Sequence, residues 1–162
     1  MEKKPIQLDV NGTLRLVHCE PRKLLSDVLR EDCRLTGTHV GCEHGACGAC
    51  TVQIDGHPAR ACLMFAVQVG NARIATVESL GAGARLTTLQ QALHECHGLQ
   101  CGFCTPGIVM TFDAYLRDNP HPTEAEVRDV LSGNLCRCTG YQNIVRAVLL
   151  AAGRLRAEAS DV

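Results

Sequence analysis

The chain has 162 residues, 46% of them apolar and 3% aromatic with no tryptophan, and Lys+Arg 16 against Asp+Glu 17 leave a net charge of −1. That length fits one or two small domains with a core, and the composition excludes both a basic phosphate-binding surface and an aromatic stacking platform for nucleic acid. The outlying count is 11 cysteines; an odd number, with no signal-peptide core in MEKKPIQLDV, argues against a disulfide framework and for metal or thiol chemistry in a reducing, cytoplasmic setting.

In chain order, residues 6–19 predict a hairpin. Ile6, Leu8 and Val10 alternate with polar residues, Asn11-Gly12 is a two-residue turn signal, and Leu14 and Leu16 take up the alternation again. Pro21 opens a predicted helix carrying Leu24, Leu25, Val28 and Leu29 to about Asp32. Thr36 to Cys50 is rich in Gly and Cys and reads as a loop. Thr51–Ile54 reads as a strand, Asp55-Gly56 as a turn, and Arg73–Glu78 as another short strand. Residues 1–78 therefore form a small mixed sheet with one helix. SLGAGAR (79–85) reads as a linker; its Gly81-x-Gly83 lacks the third glycine and the βαβ setting of a dinucleotide site.

From residue 86 the periodicity is helical. Thr87 or Thr88 caps a helix through Leu89, Ala92, Leu93 and Cys96. Thr105-Pro106 is an N-cap followed by proline, opening a helix through Ile108, Val109, Phe112, Tyr115 and Leu116 that ends at Asn119-Pro120. Thr123-x-x-Glu126 is a capping box for a third helix, stopped near Gly133. A fourth runs from about Gln142 to Leu155, and AEASDV reads as a frayed tail. Four short helices in succession predict a small bundle over 86–162. No apolar run reaches the roughly 18–20 residues of a membrane span.

The cysteines fall into two sets. Cys42-x4-Cys47-x2-Cys50, with Cys62 beyond, is the plant-type [2Fe–2S] spacing: three ligands in one loop and a fourth from a following element. Gly41, Gly45, Ala46, Gly48 and Ala49 supply little side-chain bulk, so the backbone can wrap closely and aim N–H groups at the sulfurs. Zinc rarely needs three thiols in one loop. A Rieske centre needs a C-x-x-H that is absent, which leaves His44 as an exposed loop residue. The second set is Cys101-x2-Cys104 and Cys136-x-Cys138. Residues i and i+2 of extended backbone face one way, so Cys136 and Cys138 can share a centre if Leu135–Thr139 is not helical, as bracketing Gly133 and Gly140 suggest. Spacing alone leaves zinc and [2Fe–2S] both open here. A thioredoxin-type C-x-x-C would need a βαβ context that the helical pattern lacks. Cys19, Cys33 and Cys96 lie in apolar-periodic segments and read as small buried hydrophobes.

Together, TGTHVGCEHGACGACTV (36–52), QCGFCTPG (100–107) and GNLCRCTGY (133–141) resemble the small iron–sulfur subunit of the molybdenum hydroxylases, the xanthine-oxidase-like and carbon-monoxide-dehydrogenase-like family. The resemblance covers about residues 5–155. It implies an α+β chain: an N-terminal β-grasp, ferredoxin-like [2Fe–2S] domain followed by an all-α four-helix-bundle [2Fe–2S] domain. It also turns the second set from zinc to a cluster. Carried over by position, Cys42, Cys47, Cys50 and Cys62 are the ligands of the distal cluster, and Cys101, Cys104, Cys136 and Cys138 those of the cluster nearer the molybdenum cofactor. Gln100, which sequence alone reads as a capping or solvent-facing residue, and Cys138 are implied to approach the molybdenum pterin. Arg137 reads equally as a charge offset or a solvated arginine. His39-Val40 departs from the lysine of many relatives.

The implied activity is electron transfer within an oxidoreductase, from molybdenum through the helical-domain cluster and the plant-type cluster to a flavin or an external acceptor. The chain alone does not turn over substrate. A large molybdenum-binding subunit and a medium FAD-binding subunit complete catalysis, as a dimer of heterotrimers, and the residues that select substrate lie in the large subunit. A free two-cluster ferredoxin is disfavoured by the extra helical domain and by the near-neutral charge. A zinc-stabilised interaction module is the third reading.

Overall fold

The computed structural model describes residues 2–81 and 85–160. Asn11 and Gly12 both take left-handed backbone (φ 55° and 72°), as a two-residue hairpin turn requires. They join β1 (Lys4–Val10) to β2 (Thr13–Cys19) with Val10 opposite Thr13 and Lys4 opposite Cys19. Asp55-Gly56 repeats the device between β3 (Thr51–Ile54) and β4 (His57–Arg60). β5 (Arg73–Ala75) lies between the hairpins, parallel to β1 and antiparallel to β3, giving the order β2-β1-β5-β3-β4. One face of this mixed sheet buries Leu8, Val10, Val17, Val52 and Ile74 against Leu25, Val28 and Leu29. Those last residues come from α1 (Leu25–Asp27) and the π-helical turn Val28–Asp32 that continues it.

The remainder is helical: α2 (Thr88–Glu95), α3 (Thr105–Asp118), α4 (Glu124–Leu131) and α5 (Gln142–Ser160). They close around a second core that includes Leu93, Ile108, Phe112, Val127, Leu131, Ile144 and Val148. The capping box predicted at Thr123 is present, its Oγ1 accepting from Glu126 N–H. Of the two candidate caps Thr87 and Thr88 it is Thr87 that caps α2, its Oγ1 accepting from Gln90 N–H, and Gln90 closes a second box there. α3 packs on the outer side of β3. There the buried Gln53 donates to Met110 O at 3.0 Å and Asp113 Oδ2 at 2.8 Å, and accepts from Arg117 at 3.1 Å. Both ends of the amide are satisfied, which lets a polar residue sit in the joint between the cores.

Several elements differ from expectation. Leu14 and Leu16 continue the alternation but point outward, 68% and 69% exposed, while Val17 and Cys19 are buried. The register sets Leu16 opposite Gln7 on the outer face, and a period of two puts the odd positions of β2 inside. The first helix is one short turn followed by a π turn, closed by Cys33 N–H to Val28 O at 2.9 Å. The strand at 73–78 stops at Ala75 and gives way to a 3₁₀ turn, Val77–Ser79. β4 was not foreseen: it is short, contains Pro58 and lies at the sheet edge, where a missing N–H is tolerated. Cys104 occupies the N-cap of α3, with Thr105 already helical. α5 continues through Ala157–Ser160 of the expected tail. Of the linker, Ser79 belongs to the 3₁₀ turn and Leu80 packs against the helical core; residues 82–84 lie outside the described residues, as do 161 and 162.

Candidate metal centres

The loop before β3 folds around the thiol of Cys42. The N–H of Cys47 points at Cys42 Sγ at 3.4 Å. Together with the N–H groups of His44 and Ala46, it brings the Cys42 thiol down to about 6, which favours the thiolate a metal takes. This is the ring of N–H donors expected from the small residues of the loop. Cys50 lies at the foot of β3. The pairing of Thr51 with Arg60, and of Ala61 N–H with Cys50 O at 3.2 Å, carries the chain past β4 and sets Cys62 beside Cys50. Both are buried in the sheet-side core, and burial pushes Cys50 up to about 11. His44 is exposed, with Nδ1 2.5 Å from Cys42 O, as expected of a loop residue.

The second set is assembled by tertiary packing. Cys101 and Cys104 enter α3, with Thr105 N–H to Gly102 O at 3.1 Å closing the knuckle. Cys136 and Cys138 lie on a non-helical stretch between α4 and α5. Cys138 Sγ is 3.4 Å from Cys101 Sγ, and this pair is exposed. Cys104 and Cys136 form a buried pair within the helical core. Burial drives the Cys104 thiol up to about 12, whereas the N–H of Phe103 and the neighbouring Cys138 lower that of Cys101. Gln100 stands at the exposed rim, its amide donating to Cys138 O at 3.1 Å. Arg137 is exposed.

The eight thiols thus stand two by two: Cys42 with Cys47, Cys50 with Cys62, Cys101 with Cys138, Cys104 with Cys136. Among the described residues no three Cys, His, Asp or Glu side chains converge on one ion position. A structural zinc closes four ligands around a single ion. A [2Fe–2S] cluster takes two thiolates at each of its two irons, so the four thiols of each set fit one such cluster.

The two sets abut. Leu135 N–H donates to Cys47 O at 2.9 Å, and Asn134, only 1% exposed, donates to Gly48 O at 3.0 Å while accepting from Thr111 at 3.1 Å. Arg60 reaches Gly133 O at 2.5 Å. A Cβ on Gly48 would overlap Gly133 O and the Asn134 side chain, and one on Gly107 would overlap Gly48 O. Backbones approach at this point as only glycine permits. His39 turns toward the second set: Nδ1 lies 2.8 Å from Phe103 O, so it carries the proton, and the rings stack at 4.8 Å. Asn134, the His39–Phe103 stack and the hydroxyl of Thr139, 3.1 Å from Cys136 Sγ, went unread in the sequence. Their only signal there was position, each within three residues of a cysteine.

Among the described residues no helix is long and apolar enough to cross a membrane. A 2Fe-2S iron-sulfur cluster binding domain matches residues 8–73, and a [2Fe-2S] binding domain matches residues 76–149. The chain is 56% identical to the caffeine dehydrogenase subunit gamma of a Pseudomonas species, over 91% of this chain and 90% of that one. It is 51% identical to the nicotine 6-hydroxylase small subunit of Paenarthrobacter nicotinovorans, over 95% and 93%. The crystal structure of quinoline 2-oxidoreductase from Pseudomonas putida 86 contains a chain that superposes with a TM-score of 0.92 at 47% identity, covering 97% of this chain and 98% of that one. Two cluster-binding domains in one chain, paired thiols in each and relatives of matching length together place this chain in the family of small [2Fe–2S] subunits of the molybdenum hydroxylases, with electron transfer inside an oxidoreductase complex as its work.

Proposed function

We propose that Cys42, Cys47, Cys50 and Cys62 hold a distal cluster and that Cys101, Cys104, Cys136 and Cys138 hold a second cluster facing a partner's molybdenum cofactor. The observation that carries this reading is the pairing of the thiols, with an exposed Cys101–Cys138 pair beside Gln100 and a buried Cys104–Cys136 pair behind it. When bound, each cluster takes up and returns one electron. The N–H groups at Cys42 and Cys101 balance negative sulfur charge, and the buried pairs keep water from the inner irons. Gln100 and Cys138 form the rim that meets the molybdenum pterin of a large subunit; the bond from Gln100 Nε2 to Cys138 O leaves the amide oxygen free to accept from such a ligand.

The two hydrophobic cores support a division into a β-grasp domain over 1–78, a linker over 79–85 and a four-helix-bundle domain over 86–162. The complex includes a medium FAD-binding subunit, forms a dimer of heterotrimers and works in the cytoplasm. Relatives named for caffeine, nicotine and quinoline make N-heteroaromatic compounds the first class to assay.

The test is iron content and EPR of the native complex. Four irons per chain and two distinguishable signals are expected, with one signal lost and the other kept in Cys104→Ser. Survival of both signals unchanged would reject the second ligand set. Elution of the native protein as a lone chain carrying both clusters would turn the reading to a diffusible ferredoxin.

A further inference from the structure

The segment Cys136–Tyr141 ends in two consecutive left-handed residues, Gly140 (φ 66°) and Tyr141 (φ 69°). A bulky aromatic seldom takes that backbone, and it persists only where its surroundings hold it. Here two hydrogen bonds do so. The Tyr141 hydroxyl accepts from Cys136 N–H at 2.9 Å, and Tyr141 N–H donates to Thr139 Oγ1 at 3.2 Å. The second bond occupies a lone pair of the threonine oxygen and leaves its proton free. The nearest acceptor is Cys136 Sγ, at 3.1 Å. A cysteine serving as an iron ligand carries no proton, so in this contact the threonine hydroxyl donates.

We propose that Thr139 is a positioning residue that tunes the helical-domain cluster: its O–H···S bond draws charge from the Cys136 sulfur and makes that cluster easier to reduce. The inference rests on the ligand reading above. Hydrogen bonds to cluster sulfurs set the potential, and this one lies in a buried, low-dielectric place where such bonds strengthen. The distal set differs. Among the described residues, the hydrogen bonds reaching Cys42 and Cys50 come from backbone N–H groups and from other cysteines. Thr139 therefore separates the two clusters in potential, and Tyr141 holds it in place through its strained backbone.

The experiment is an EPR-monitored redox titration of the native complex with Thr139→Val and Thr139→Ser, the helical-domain signal being the one that Cys104→Ser removes. Thr139→Val is expected to weaken reduction of that cluster about tenfold, a fall of about 59 mV for a one-electron couple. Thr139→Ser keeps the wild-type value, and the other signal stays in place in both. An unchanged potential in Thr139→Val, an equal fall in Thr139→Ser, or an equal shift of both signals overturns the proposal. If Thr139→Val loses the cluster, Thr139→Ala is titrated instead, and an unchanged potential or a lost cluster there also overturns it. If Cys104→Ser removes neither signal, the ligand reading falls and takes this one with it; if it removes one and Thr139→Val shifts nothing, the tuning alone falls.

Discussion

The loop at 36–50 and the joined segments 100–104 and 133–141 both end with thiols in pairs, but they arrive there differently. Around Cys42 the organisation is local: three cysteines and the N–H groups that face them lie within nine residues, and a tight hairpin brings in Cys62. Around Cys104 it is global, since Cys136 reaches its partner only because α3, α4 and α5 share one core. A site built by a loop can outlast loosening of the core beneath it, and one built by packing cannot. Partial destabilisation of the helical half should therefore separate the two.

Phe112→Ala breaks the comparison most forcefully. Phe112 is fully buried on α3, the helix whose N-cap is Cys104, and meets Tyr115 edge-on at 6.0 Å. Its truncation costs about 3–5 kcal/mol. EPR should show the helical-domain signal lost or strongly reduced while the distal one remains. Equal loss of both would mean that the distal loop also depends on the helical core.

How far the sequence could be read follows the same line. The hairpin turns, the capping box at Thr123 and the distal loop were visible because turn chemistry, cap residues and close cysteine spacing act over a few residues. The second set was visible as cysteines, but spacing left its metal open, because the pairing of Cys104 with Cys136 is a property of packing. The outward turn of Leu14 and Leu16 was hidden, since only pairing with β1 decides which face of β2 is inside. Asn134 was hidden for a related reason: an asparagine after a glycine reads as a turn residue, and only the approach of Gly48 makes it a buried bridge.

That bridge offers a milder test. Asn134→Ala removes the bridge between Gly48 O and the Thr111 hydroxyl. Gly48 O still accepts from the Thr51 hydroxyl and the Thr111 hydroxyl still donates to Gly107 O, so the loss is that of ordinary hydrogen bonds, about 0.5–1.5 kcal/mol each. Because Asn134 ties the two sites together rather than holding either set of thiols, both EPR signals should survive. Calorimetry should show the melting of the two halves drawing apart. A single undivided transition at wild-type temperature would show that the halves are coupled mainly through Gln53, Met110 and Asp113.

The smallest effect is expected at Thr123, which caps α4 far from any thiol and closes a box with Glu126. Thr123→Ala should cost about 1 kcal/mol, a fall in Tm of about 2–4 °C for a chain of this size. The Thr123 N–H and, after it, the Thr123 hydroxyl hold the Glu126 carboxyl below its ordinary value. The N–H remains in Thr123→Ala, so it is the hydroxyl's share that contributes above the ordinary carboxylate range and is lost as pH falls through the lowered one. The difference in Tm between wild type and Thr123→Ala should therefore shrink on acidification through that range. Both EPR signals should be untouched at neutral pH. Weakening of the helical-domain signal alone would extend the packing dependence of that site to the first turn of α4, because the cap acts on the thiols only through the helix that leads into Cys136.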